Sequence, residues 1–254
     1  MFLPRIIPVL LLKEKGLVKT VKFKNPIYIG DPINAIKIFN DFKADELIIL
    51  DITASKEERT ISFDLIRNIG DEAFMPFGVG GGFKNIKQIE NAFRSGAEKV
   101  VLNTQAVLNP ELVKMAAENF GSQSIVVSID VKKNFLGKYE CWIKDGSVLT
   151  KNNPIELSKK MQELGAGEII INSIDLDGCM TGYDVELIRK IVEAVSIPVI
   201  ACGGAGKIED FKNCYFEGKA HALAAGSMFI FHGPRRAVLV NYPSKNEIIQ
   251  LFKC

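Results

Sequence analysis

Short apolar runs of strand length alternate along the chain with longer amphipathic stretches. Eight of the runs, 6–12, 47–51, 76–79, 100–103, 125–130, 169–172, 198–202 and 221–225, are apolar at nearly every position. Such continuous apolarity suits strands buried on both faces, as in a parallel sheet covered by crossover helices. Asp31-Pro32, Asn109-Pro110 and Asn153-Pro154 each set a capping side chain before a proline suited to a first helical turn, which predicts helix starts there. The stretch 132–152, with Tyr139, Cys141 and Ile143 alternating and a turn at Asp145-Gly146, predicts a β-hairpin inserted after the fifth strand.

The second half of the chain echoes the first. The run 46–51 resembles 168–172, and Pro76-Phe-Gly-Val-Gly80-Gly-Gly82 resembles Pro198-Val-Ile-Ala-Cys-Gly203-Gly-Ala-Gly206. Two repeats of four βα units predict a (β/α)8 TIM barrel built from two half-barrels, better than an open doubly wound sheet. The length, 254 residues, fits one barrel domain spanning 1–254. A net charge of +2 gives no bulk basic character, so nucleic acid is not an expected partner. Cys141, Cys179, Cys202, Cys214 and Cys254 are scattered with no Cys-x-x-Cys pair and read as free thiols. The apolar start lacks a basic flank and a cleavage site, and no run reaches the ~20 apolar residues of a membrane span, so a cytoplasmic protein without a membrane partner is expected.

Gly80, Gly81 and Gly82 follow the third strand, where missing Cβ atoms let backbone N–H groups approach an anion. Asn103 and Thr104, ending the fourth strand, are candidate donors to a phosphate there. Gly203 and Gly204 hold the matching place after strand seven, with Gly226 and Ser227 after strand eight and Asp177-Gly178 after strand six on the same rim. A tight turn explains one glycine cluster as well as a phosphate does, but the duplication favours two anion sites and a small-molecule substrate with a phosphate at each end. A dinucleotide fold fits worse, because the first strand opens into Lys13-Glu-Lys-Gly16.

Asp130 ends the fifth strand, a place suited to a general acid or base. In the half-barrel register its counterpart is Leu11, so one half carries a carboxylate and the other none. The runs Leu50-Asp51-Ile-Thr-Ala-Ser55, Val79-Gly-Gly-Gly82, Phe120-Gly-Ser-Gln123, Gly165-Ala-Gly-Glu168 and Gly203-Gly-Ala-Gly-Lys207 make nearly the whole chain resemble HisF, the cyclase subunit of imidazole-glycerol-phosphate synthase. The resemblance implies an ammonia-using cleavage of a bis-phosphorylated ribulosyl carboxamide, with two strand-end aspartates as acid and base. The second matches Asp130 and the first falls at Leu11. Asp51 and Lys19 also match and are candidate helpers, Lys19 on a mobile loop after strand one.

Arg5, Glu46, Lys99 and Glu168 each stand just before an apolar strand and so ring the N-terminal mouth of a barrel. All four match the ammonia gate that the resemblance implies, and Asp45, Glu98 and Gln123 fall where the family faces its HisH-like glutaminase. An intact docking face with an altered catalytic face resembles the paralogues that work in amidination of surface-polysaccharide sugars. Two alternatives stand beside this reading: an isomerase like the phosphoribosyl-formimino carboxamide isomerase, and a non-catalytic ammonia conduit that activates the glutaminase. His221 and His232 form no metal cluster, and no metal or cofactor is expected.

Overall fold

The computed structural model describes residues 3–233 and 235–253. Eight parallel strands close on themselves: β1 (Arg5–Lys13), β4 (Leu47–Asp51), β5 (Phe77–Gly80), β6 (Lys99–Leu102), β7 (Ile125–Lys133), β10 (Glu168–Ser173), β11 (Val199–Cys202) and β12 (Ala222–Ala225). The ring shuts where β12 pairs with β1, Arg5 opposite Ala222. These are the eight predicted strands, and the architecture is the (β/α)8 barrel.

Strand alternation sorts the apolar residues into two cores. Ile7, Val9, Ile48, Val126, Ile170 and Ile200 fill the barrel interior, with Leu11 and Leu50 packed on top of them. Ile6, Leu10, Leu12, Ile49 and Val79 point outward into the layer under the helices. Asp31 caps α1 (Pro32–Phe42) by accepting from the Asn34 N–H at 3.0 Å, and Asn153 caps α6 (Pro154–Glu163) from Ile155 at 2.9 Å. The third expected cap differs. Asn109 instead ends α4 (Thr104–Leu108), and α5 (Glu111–Phe120) starts from Pro110 with no side-chain cap.

Strands β1 and β7 run nine residues each, and each turns back above the barrel into an antiparallel pair. After β7 come β8 (Tyr139–Ile143) and β9 (Val148–Leu149), the predicted hairpin. After β1 come β2 (Gly16–Val21) and β3 (Lys24–Gly30), where the sequence suggests a loop. Cys141, Cys179, Cys202 and Cys214 are free, and Cys254 lies outside the described residues. Among the described residues no helix is long and apolar enough to cross a membrane, and no group of side chains is arranged to hold a metal ion.

Candidate active site

A cavity of about 380 Å³ opens at the C-terminal ends of the strands. Its floor is apolar on one side, where Val9, Leu11 and Leu50 cap the inner core, and polar on the other, where Asp130, Asn172 and Asn103 meet. Asn103 Nδ2 donates to Asp130 Oδ2 at 3.1 Å and to the Ser128 carbonyl at 2.9 Å. Burial, with the charges of Asp145 and Asp177 behind it, pushes the Asp130 carboxyl up to about 8, against the opposing pull of Asn172 and Asn103. At neutral pH Asp130 is therefore mainly a protonated acid with a hydrogen to give.

The cross-strand partners of Asp130 are Asn172 on β10 and Trp142 on β8. Asn172 Oδ1 and Trp142 Nε1 are the two buried side-chain polar atoms without a partner among the described residues. In-register partners project on the same face of the sheet, so the residues that carry an unmet acceptor and an unmet donor are the two cross-strand neighbours of Asp130.

Lys19 sits on β2, not on the expected loop. It is 4% exposed, and its Nζ donates to the Val9 carbonyl at 2.6 Å beside Gly226. Burial lowers its ammonium to about 8, with Asp177 pulling the other way. Asp177 is itself pushed up to about 6 by burial, with Lys19 and Thr20 holding it down. Its carboxylate accepts from Thr20 Oγ1 at 3.2 Å, which ties it to the first hairpin.

Three other candidate residues are hydrogen-bonded within the protein. Asp51 is held by both ends of the Arg59 guanidinium and by the N–H groups of Thr53 and Ala54, so it anchors the loop after β4. Asn103 gives its amide hydrogens to Asp130 and the Ser128 carbonyl. Thr104 Oγ1 accepts the Lys144 N–H at 3.2 Å and lies 3.4 Å from Asn103 Oδ1, so its hydroxyl is already engaged.

The glycine loops line the cavity as expected, Gly80, Gly81 and Gly82 on one side, Gly178, Gly203, Gly204, Gly226 and Ser227 on the other. Gly82 has φ +67° and a Cβ there would lie 1.9 Å from the Arg59 carbonyl oxygen; at Gly204, φ +117°, the corresponding clash is 2.0 Å with Gly182. Packing alone thus requires glycine at both points, with or without an anion.

Sequence reasoning missed Arg59, Asn172, Lys144 and Asp145. Only Asn172 had a signal, since the echo of 46–51 in 168–172, aligned at Glu46 and Glu168, sets it on the position of Leu50 in the other half. Cys202 also lines the cavity, but burial pushes its thiol up to about 12, so it is no thiolate nucleophile.

At the opposite end, Arg5, Glu46, Lys99 and Glu168 form a closed ring. Arg5 pairs with Glu46 and, at 2.6 Å, with Glu168; Lys99 pairs with the same two carboxylates at 2.8 and 2.9 Å. Beside it Glu98 and Gln123 are exposed. Asp45 is exposed too, but its Oδ2 is already bound to the Ile6 N–H at 2.9 Å, which ties the start of β1 to the loop before β4. His221 Nδ1 accepts the Val199 N–H, a purely structural contact.

The family model of the histidine biosynthesis protein matches residues 5–233. The chain belongs to that family. It is 48% identical, over 96% of its length and 97% of the relative's, to a Pseudomonas aeruginosa protein named "Putative imidazole glycerol phosphate synthase subunit hisF2". A similarly named protein of Leptospira borgpetersenii is 46% identical over 99% of this chain and all of its own. The imidazole glycerol phosphate synthase subunit HisF of Alkaliphilus metalliredigens is 41% identical over 91% and 92%. The barrel is thus a HisF-type synthase subunit by family, and the half-barrel counterpart of its Asp130 carboxyl is the apolar Leu11.

Proposed function

We propose that this HisF-type subunit receives ammonia from a HisH-like glutaminase docked at its N-terminal end and uses it, or passes it on, at the glycine-lined mouth. The observation that carries the reading is the closed ring of Arg5, Glu46, Lys99 and Glu168. Two cations each bridging two buried acids seal the barrel end against water, and beyond them lies only the apolar interior of Ile7, Ile48, Val126, Ala222 and Ala224. Such an interior admits neutral ammonia and rejects ammonium, whose charge costs far more to desolvate. Exposed Glu98, Gln123 and the 88% exposed Phe74, in the loop leading to β5, offer a mixed polar and apolar docking face around the ring.

Leu11 has no proton to exchange, so the reading separates from histidine synthesis at the chemical step. A paralogue that supplies nitrogen for acetamidino modification of a polysaccharide sugar fits an intact docking end and a changed mouth. Leu11 also favours one second reading, a conduit that activates the glutaminase without its own chemistry. The isomerase reading accounts for the glycine loops but not for the ring. Co-expression with a HisH-like glutaminase followed by size-exclusion chromatography tests the partner: a one-to-one complex is expected, and separate elution with the cognate glutaminase removes it. Glutaminase activity in that complex, assayed with and without added sugar or ribulosyl substrates, then separates synthase from conduit.

A further inference from the structure

The two hairpins exchange sides. The first, β2 and β3, leaves the first half-barrel and crosses to the second: Lys22 N–H donates to the Asp177 carbonyl at 2.9 Å, and Lys19 ends beside Gly226. The second, β8 and β9, leaves the second half-barrel and crosses to the first: Lys144 N–H donates to Thr104 Oγ1, and Asp145 pairs with Lys56 of the loop after β4 at 2.9 Å. Each hairpin therefore brings one lysine into the cavity wall on the side of the opposite half, Lys19 beside Gly226 and Lys144 beside Thr104. The registers are similar though not identical, since Val18 pairs with Leu11 and Lys19 follows it, while Trp142 pairs with Asp130 and Lys144 stands two residues on.

The geometry points to Lys144 as the side-chain ligand of an anionic group, a phosphate monoester by the chemistry of the site, bound at the Gly80–Gly82 loop. This rests on the phosphate-binding reading of the glycine loops. At that loop the two donors expected from sequence are engaged, the Asn103 amide with Asp130 and the Ser128 carbonyl, and the Thr104 hydroxyl with Asn103 Oδ1 at 3.4 Å. Of the other cations lining the cavity, Lys84 Nζ donates to the Glu58 carbonyl at 3.2 Å and Lys19 is fixed across the mouth on Val9. Lys144 is half-buried in the cavity wall, and its Nζ has no hydrogen bond or ion pair among the described residues. The backbone is strained to bring it there. Lys144 and Asp145 hold φ of +52° and +57°, a left-handed region costly to side chains with a Cβ, and the Asp145–Lys56 pair and the packing of Phe23 against Gly146 hold the turn in place.

Titration of the full chain with inorganic phosphate, followed by calorimetry and by phosphorus NMR, tests the assignment. The unmodified protein is expected to bind two phosphates, and Lys144→Met to weaken one of them about tenfold or more, as loss of a charge-assisted hydrogen bond does, while leaving the other unchanged. Methionine keeps a Cβ at the strained turn, so thermal unfolding should show a folded variant, and Lys144→Arg should restore binding. Two unaltered sites in Lys144→Met overturn the inference alone. No phosphate bound by the unmodified protein overturns the phosphate reading and the inference with it.

Discussion

The two ends of this barrel hold charge in opposite ways. At the N-terminal end two cations and two acids satisfy one another in a closed ring, while at the C-terminal end Asp130, Lys19 and Asp177 are buried with incomplete pairing and displaced from their ordinary pKa values. Paired burial makes a seal, and unpaired burial makes groups that titrate near neutrality. The difference also separates what one half of the chain supplies from the other, since the ring draws Arg5, Glu46 and Lys99 from the first half, while Asp130 and Asp177 at the mouth come from the second.

The sharpest break of this contrast is Glu46→Ala. Glu46 has a side chain 3% exposed and accepts from both cations, so its loss should cost about 3–5 kcal/mol in urea unfolding, the range for a broken buried network. A loss under about 1 kcal/mol would place the ring with ordinary surface pairs and end its role as a seal. At the other end, the unmodified chain should turn over the bis-phosphorylated ribulosyl carboxamide with ammonium chloride very slowly, and Leu11→Asp should raise the rate, up to about 10²-fold if a proton-transfer group there has its usual weight. Rapid turnover by the unmodified chain would show that Leu11 did not redirect the chemistry.

Two pH profiles follow with smaller amplitudes. Asp130 has a folded pKa above its unfolded value, so the folded state binds the extra proton and stability falls as pH rises from about 4 to about 8. Asp130→Asn should therefore gain on the order of 2 kcal/mol over the unmodified protein above pH 8, and little near pH 4, with water at the mouth relieving part of the burial. A pH-independent difference would mean that the carboxyl titrates normally. Lys19 runs the other way: its folded pKa lies below its unfolded value, so its penalty is full below about 8 and disappears as pH rises toward 10.5. Lys19→Met should stabilise by about 1 kcal/mol at pH 7 and by less at pH 10. Destabilisation by Lys19→Met at pH 7 would show that the Val9 hydrogen bond outweighs the burial.

The eight barrel strands were legible because both of their faces are buried, which writes itself as unbroken apolar runs. The first hairpin was not. Its turn is Lys22-Phe23 at φ +53° and +59°, with no glycine or asparagine to announce a hairpin, and β3 is mostly exposed with a proline in it. What holds it is a contact with Asp177, 155 positions later in the chain than Lys22, and no local pattern carries that. The four ring residues were legible from their place before each strand. Partner choice was not: Asn103 and Thr104 have the chemistry to hold phosphate, but which acceptor an amide or hydroxyl takes depends on neighbours brought in by other strands. Arg59 was silent for the same reason, being an ordinary loop arginine until Asp51 is folded beneath it.

The short turn Ser122–Ser124 is where α5 gives way to β7, and so where the half-barrels join. A chain interrupted there would leave two fragments of four strands, each with its own hairpin and each with two raw edges, β6 against β7 and β12 against β1. Neither fragment closes alone, and the ring needs Glu168 from one and three residues from the other. The protein is in this sense a heterodimer written as one polypeptide, whose pieces carry the instructions to find each other and could be exchanged with the halves of other barrels.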